Sequence, residues 1–393
     1  MIRSFLRSSR SVVPLMLLAL SPPAGLVAQA AVAPPTRLTA QIRSAVIDTV
    51  VARLARIYVE ADTGVLIGQG LRKKLAAGAY DQLDNPAQFG EAVTRDLRAI
   101  NGDLHLSLRF APGGGENRSG PQGDPTRQNF GLGRVDILDG NVGYLEITGF
   151  AGARGYQEVV ADALRFLART DAVIIDVRRN PGGSGEMSHF VFSHFLSATP
   201  VPTIRVKRRA PSEPVVRRSL AEVPGPRRPE VPLYVLTSQS TGSAAEEFSF
   251  VLKNQRRATI VGSRTAGAGH MVNIVRAGHG FLLGLSITRV SDPETGKEWE
   301  GVGVQPDIAV PAERALVEAH VAALRTILSA NTDADWGRRL ERFLATADAR
   351  RNPQPIDPAR LARLAGNYDG RVVSISNGRL FLARRAGGLG EEL

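Results

Sequence analysis

From residue 142 onward, short apolar runs alternate with segments of helical spacing. Val142–Ile147, Ala172-Val173-Ile174-Ile175-Asp176-Val177, Leu233-Tyr234-Val235-Leu236 and Ala258-Thr259-Ile260-Val261 are the runs, and helical patterns over 156–169, 187–196 and 243–254 separate them. Buried strands alternating with helices are the βαβ signature of a largely parallel sheet, and this alternation places the chain in the α/β class.

Upstream the period is different. Thr39 can cap a helix whose apolar positions Ile42, Val46, Val50, Leu54 and Ile57 lie on one stripe, a second helix covers 67–77 and stops at Gly78, and Asn85-Pro86 opens a third. Residues 31–101 therefore read as a helical N-terminal domain before a core over 102–330. At the junction the period falls to two: Leu104, Leu106, Leu108 and Phe110 alternate with His105, Ser107 and Arg109, which predicts a strand carrying His105 on its polar face. Residues 112–128 read as a Gly- and Pro-rich linker, and Asp139-Gly140 as a hairpin turn. Helices around 313–329 and 334–347 follow, and 331–393 forms a helical extension ending in a short β segment with its turn at Asn377-Gly378.

The chain has 393 residues, 43% hydrophobic and 22% charged, with no Cys, which describes a globular chain of two or three domains and excludes disulfide frameworks, thiol nucleophiles and Cys-ligated metals. Residues 1–30 read as an export signal: Arg3, Arg7 and Arg10, then the apolar run Val12–Leu20, then Ala28-Gln29-Ala30 as a cleavage site. The expected location is periplasmic or extracellular, with a mature form that does not span the membrane. Removing three Arg lowers the net charge from +11 to +8. The basic pairs between Lys207 and Arg228 fall among five Pro and lack interleaved aromatics, so they read as an exposed loop and not as a nucleic-acid surface.

Ser243 is the first candidate nucleophile. It follows a buried strand and opens a helix, so unpaired backbone N–H groups and the helix dipole lie beside its hydroxyl. The same Ser243-x-x-Glu246 spacing is a capping box, which leaves the role of Ser243 open at this level. Asn180-Pro181-Gly182-Gly183 offers a second set of backbone donors for an oxyanion. A hydroxyl nucleophile needs a base. Of six His, His189 and His194 sit five apart in an apolar helix and read as packing or surface residues, His320 lies far down the chain, and His105, His270 and His279 remain. Glu298 and Glu300 are two acids that could orient a His, and the residues do not choose between them.

In order, Asn101-Gly102-Asp103-Leu104-His105-Leu106, Val142-Gly143-Tyr144-Leu145, Asp176–Gly183, Thr241–Glu246, Gly262–Gly267 and Trp299–Asp307 resemble the tail-specific (C-terminal processing) serine peptidase family. The resemblance is to the branch containing the tricorn core protease and the repeats of interphotoreceptor retinoid-binding protein, and it covers roughly residues 38–330. It implies a crotonase-like (ClpP-like), mostly parallel sheet core with an N-terminal helical domain. No PDZ domain is apparent between the helical domain and the core hairpin.

The resemblance also implies roles. Ser243 is the nucleophile. The Lys of the family's Ser–Lys branch is replaced by Ala268 in Ala266-Gly267-Ala268-Gly269, and Lys253 lies too far along the helix to substitute. The tricorn-like arrangement maps the base to His105 and its acid partner to Glu300, with the N–H groups of Ala244 and of Gly182 or Gly183 as the oxyanion hole. Leu104 stands where tricorn has a Ser linking Glu to His, and Asp103 is a lesser candidate for orienting the imidazole. His270 is a third possible base. The implied function is an exported serine peptidase acting on proteins or peptides through an acyl-enzyme, with no metal or cofactor. The rival is a non-catalytic protein that binds apolar ligands on the same scaffold.

Overall fold

The computed structural model describes residues 37–112, 124–353, 357–384 and 390–392. The expected export signal and most of the expected linker lie outside the described residues.

Three helices come first, α1 (Ala40–Ile57), α2 (Ala61–Ala76) and α3 (Pro86–Arg98). Thr39 and Asn85 cap α1 and α3 through their side-chain oxygens, with Pro86 in the first turn of α3. The strands are β1 (Ser107–Phe110), β2 (Leu132–Leu138), β3 (Val142–Ile147), β4 (Ala172–Asp176), β5 (Pro202–Arg208), β6 (Val215–Arg218), β7 (Leu233–Thr237), β8 (Thr259–Gly262), β9 (Met271–Gly278), β10 (Phe281–Ser291) and β11 (Ile308–Ala309). Helices α4 (Tyr156–Phe166), α5 (Gly185–Ser193) and α6 (Ala244–Asn254) alternate with them, and α7 (Ala315–Ala330) and α8 (Ala334–Arg351) follow. A short helix, α9 (Pro358–Ala362), leads into an antiparallel meander, β12 (Gly366–Tyr368), β13 (Arg371–Ser376), β14 (Arg379–Ala383) and β15 (Glu391–Glu392).

The central sheet has the order β11-β8-β7-β4-β3-β2 and is parallel except for the β2–β3 hairpin, whose turn uses the positive φ of Gly140 and Asn141. Alternate residues of a strand face opposite sides. Val173, Ile175 and Val235 accordingly pack with α4, α5 and α6, whereas Ala172, Ile174 and Leu236 pack with α7 and α8. Burial on both faces explains why these strands read as unbroken apolar runs.

The second sheet is antiparallel, order β1-β10-β5-β6 with β9 also paired to β10. Its residues Leu108, Phe281 and Leu283, with Leu106 just before β1, share one apolar cluster with Val46, Val50, Phe89 and Leu97 of the helices, so packing is continuous across residue 101.

Two expectations are corrected. The strand expected from Leu104 begins only at Ser107, and His105 lies in a turn, because Asp103 captures the local backbone: its Oδ1 accepts the His105 N–H at 2.9 Å and its carbonyl accepts the Leu106 N–H. The basic stretch 207–228 is not simply an exposed loop. It contains the β5–β6 hairpin, and Arg227 donates to the carbonyls of Ser193, Leu196 and Leu220 while Arg228 donates to Leu167 and Thr170. Those guanidiniums satisfy carbonyls at the ends of α4 and α5, a use of Arg that charge spacing alone does not reveal.

Candidate active site

A cavity of about 670 Å³ opens where the carboxyl ends of β4 and β7 meet the antiparallel sheet, and Ser243, Ala244, Gly182, Gly183, His105 and His270 all line it. Ligand sites of open α/β sheets form at this end of the strands.

Ser243 leaves β7 through the turn Ser238–Gly242 and enters α6 with φ 50° and ψ −118°. Positive φ is uncommon for a residue with a Cβ, and strain of this kind concentrates at functional positions. Its N–H donates to Glu246 Oε2 at 2.8 Å, the carboxylate arm of the capping box. The amides of Glu246 and Glu247 go to the Ser243 carbonyl oxygen, and by hydrogen-bond geometry the Ser243 side chain takes no capping bond from the helix. Glu246 also accepts from Thr265 Oγ1 and the N–H groups of Gly267 and Ala268 at 2.6 to 2.8 Å. One buried carboxylate thus ties the turn after β8 to the start of α6. Lys253 pairs with Asp307 and is not part of the cavity.

The Gly182-Gly183 turn packs directly on Ser243. A Cβ placed on Gly182 would lie 2.8 Å from the Ser243 Cβ, and one on Gly183 would lie 2.2 Å from the Phe150 carbonyl oxygen. With φ of 113° and 128°, both positions require glycine twice over. The expectation for the backbone donors narrows here. The Gly182 N–H is already taken by Asn180 Oδ1 at 2.8 Å, whereas the N–H groups of Gly183 and Ala244 have no protein acceptor among the described hydrogen bonds.

The histidine wall comes from turns flanking the antiparallel sheet. His105 stands just before β1 and His270 just before β9, and Asp103 sits beneath both: His270 Nδ1 is 3.3 Å from Asp103 Oδ2, and His105 Nδ1 is 3.9 Å from Asp103 Oδ1. Tyr58 of the helical region donates to Asp103 Oδ2 at 2.9 Å and accepts from Asn101 Nδ2 at 2.7 Å. Glu300, expected to face His105, instead lies against His270. Its Oε1 is 3.8 Å from His270 Nδ1, and its Oε2 accepts the main-chain N–H groups of Gly269 and His270. The close approach of Gly269 to Glu300 explains this placement: a Cβ on Gly269 would fall 2.9 Å from the Glu300 nitrogen.

These surroundings set opposite protonation states. Burial depresses His105 to about 4, partly opposed by Asp103 and reinforced by His270, so its imidazole is neutral at neutral pH. Burial also disfavours the charged form of His270, but the hydrogen bond to Asp103 and the charges of Glu300 and Asp103 outweigh it and raise its pKa. For Asp103, burial pushes upward while the hydrogen bonds with His270 and Tyr58 hold the carboxyl well below the usual range. Asp103 and Glu300 thus favour the charged form of His270, while burial favours the neutral form of His105. Asp103, His270 and Glu300 also converge closely enough for one metal ion, yet the Asp103 oxygens are already engaged by donors, which favours the pairing of Asp103 with His270.

Of the other His, His189, His194 and His320 each bond a main-chain carbonyl away from the cavity, and His279 is exposed in the β9–β10 turn. Sequence reasoning gave Asp103 and His270 minor parts; the signal for them was Asp103-x-His105 and the single His closing the Ala266–Gly269 turn.

Residues 141–310 match the model of peptidase family S41. The chain is 29% identical over 264 residues to a carboxy-terminal-processing protease of Bartonella bacilliformis, covering 64% of this chain and 55% of that protein. It is 28% identical over 172 residues to a carboxyl-terminal-processing protease of Synechocystis, covering 43% and 38%. The chain thus spans about half or less of the length of these relatives. Among solved structures, a protein of Parabacteroides merdae described provisionally as a peptidase superposes with TM-score 0.53 at 18% identity, covering 74% of this chain and 99% of that one. A Streptococcus agalactiae lipoprotein gives 0.51 at 16%, covering 75% and 98%. These two likenesses concern the fold.

Proposed function

We propose that this chain, whose residues 141–310 belong to peptidase family S41, is a serine peptidase that cleaves peptide bonds of proteins or peptides through an acyl-enzyme. The observation that carries the reading is Ser243, held at positive φ on the wall of the same cavity as a neutral His105 and the free N–H groups of Gly183 and Ala244.

In this reading His105 accepts the Ser243 proton as the hydroxyl attacks the carbonyl carbon. The developing oxyanion is met by the amides of Gly183 and Ala244, and His105 returns the proton to the leaving amine. Water, activated by the same imidazole, then releases the acyl group. Asp103 stabilises the imidazolium as it forms. Glu300 acts one step removed, by holding His270 and the Gly269–His270 backbone in place. Export follows from the character of residues 1–30, and no helix among the described residues is long and apolar enough to cross a membrane.

The test is covalent labelling with a broad fluorophosphonate probe, read by intact mass, on the parent, Ser243→Ala and His105→Ala. One adduct on the parent, none on Ser243→Ala and a rate at least about a hundredfold lower on His105→Ala is the expected result. A folded parent that takes no adduct overturns the reading and brings forward apolar-ligand binding on the same scaffold.

A further inference from the structure

Glu247 is a buried acid that the chemistry above does not use. It lies in α6 four residues after Ser243, and it lines the same cavity while only 5% exposed. Its carboxylate makes no hydrogen bond and no ion pair with any described residue. A carboxylate that faces a cavity without a protein partner is available to a ligand that enters it. Glu246, next to it, shows the contrast: its oxygens accept four hydrogen bonds and knit the fold.

The charged group nearest Glu247 is Arg217. Arg217 of β6 and Glu186 of the first turn of α5 also line the cavity. A Cβ added to Gly185 would stand 3.8 Å from Glu247 Oε2 and 4.0 Å from Arg217 Nη1, so the carboxylate and the guanidinium flank one space without meeting in an ion pair. The absent side chain of Gly185 keeps the space between them open. Burial pushes the Glu247 carboxyl up to about 7, with Arg217 pulling it back, as expected for an acid lacking a close counter-charge.

We propose that Glu247 is a specificity-determining residue that receives a cationic side chain, Lys or Arg, of the peptide substrate next to the scissile bond. The carboxylate gains in the complex the charge-assisted hydrogen bond that it lacks alone. The inference rests on the peptidase reading and names the substrate class for the same site.

The experiment compares kcat/KM on a peptide series in which Lys, Arg, norleucine or Glu is placed in turn at each of three positions on either side of the cleaved bond. The parent is expected to favour Lys or Arg over norleucine at one position, and Glu247→Gln to lower that ratio about tenfold or more. Glu247→Lys is expected to invert the preference toward Glu at the same position, which a merely structural role would not do, and Arg217→Gln to raise the Lys ratio. A parent without basic preference at any position, or a ratio unchanged in folded Glu247→Gln, overturns the inference. Fluorophosphonate labelling of Ser243 in the same preparations separates the two failures: labelled enzyme with an unmoved ratio leaves the peptidase reading standing, and unlabelled enzyme removes both.

Discussion

The two walls of the cavity are built in different ways. The nucleophile wall hangs on the ends of β4 and β7, buried on both faces, and its turns are cross-linked: Glu246 takes four donors, Asn180 Oδ1 holds the Gly182 N–H while its Nδ2 stays unpartnered, and Thr241 Oγ1 donates to the Val177 carbonyl. The histidine wall hangs on turns at the ends of β1, β9 and β10, and buried atoms there stay unpartnered, namely His105 Nδ1, Glu300 Oε1 and the indole Nε1 of Trp299. A densely cross-linked network such as that around Glu246 fixes one geometry, whereas a sparsely bonded one is free to adjust. In the proposed chemistry the N–H groups of Gly183 and Ala244 are in place before substrate arrives, and His105, with Asp103 at 3.9 Å, tightens only when charge develops on it.

Breaking the rigid wall should have the largest effect. Glu246→Ala leaves Ser243, Gly267 and Ala268 with buried N–H groups and Thr265 with a hydroxyl that have lost their acceptor. Each such group costs about 1–3 kcal/mol, shared and partly relaxed, so a loss of about 3–5 kcal/mol in denaturant unfolding is expected. The labelling rate of Ser243 should fall with it by about a hundredfold, since the nucleophile turn and the Ala268 turn are no longer joined. Full labelling in a destabilised but folded Glu246→Ala would show that the strained Ser243 conformation is held by the Gly182–Gly183 packing alone.

Much of this wall was legible in the sequence, because it is local. The apolar runs gave the strands, the two consecutive Gly gave the turn, and Ser243-x-x-Glu246 gave the helix start. The other wall was only half legible. The resemblance pointed to His105 as base and Glu300 as its acid, and the proximity of Asp103 to both His was not readable, since Asp103, His270 and Glu300 are brought together from three separate turns. Period-two alternation from Leu104 predicted a strand, and the Asp103 side chain overrode it by taking the His105 amide. The β5–β6 hairpin was missed for a related reason: five Pro and a run of Arg mark a loop, and nothing local says that Arg227 and Arg228 will be consumed by helix-end carbonyls.

The adjustable wall can be sharpened through its pH dependence. In the proposed chemistry His105 must be neutral to act as base, so activity is expected to be lost as pH falls through its folded pKa, depressed to about 4. Burial makes the neutral form the favoured one in the fold, so the same group contributes stability above its unfolded value near 6.5 and loses it as pH falls toward 4. The positive charge of His270 helps to depress His105. His270→Gln removes that charge while Asp103 remains, so the His105 pKa rises and the acid limb of kcat/KM should move to higher pH, with the plateau lowered about tenfold or less. If His270 were itself the base, the variant would lose the plateau by several hundredfold with no displaced limb. A pH profile of the labelling rate on parent and His270→Gln decides between them.

The smallest effect is expected at Leu104, where the tricorn-like arrangement places a Ser between acid and base. In this chain the acid nearest to His105 is Asp103, and Glu300 reaches the region through His270, so a hydroxyl at position 104 has no gap to bridge. The Leu104 side chain is moreover 41% exposed and its carbonyl is held by Arg98 Nη2 at 2.7 Å, which fixes the turn through the main chain and not through the side chain. Leu104→Ser should therefore label within about twofold of the parent, with a shift in unfolding free energy of about 0.5 kcal/mol or less, as for an ordinary surface change. A gain of tenfold or more would mean that the hydroxyl links Glu300 to His105 once it is supplied, and that the adjustable wall closes onto Glu300 and not onto Asp103.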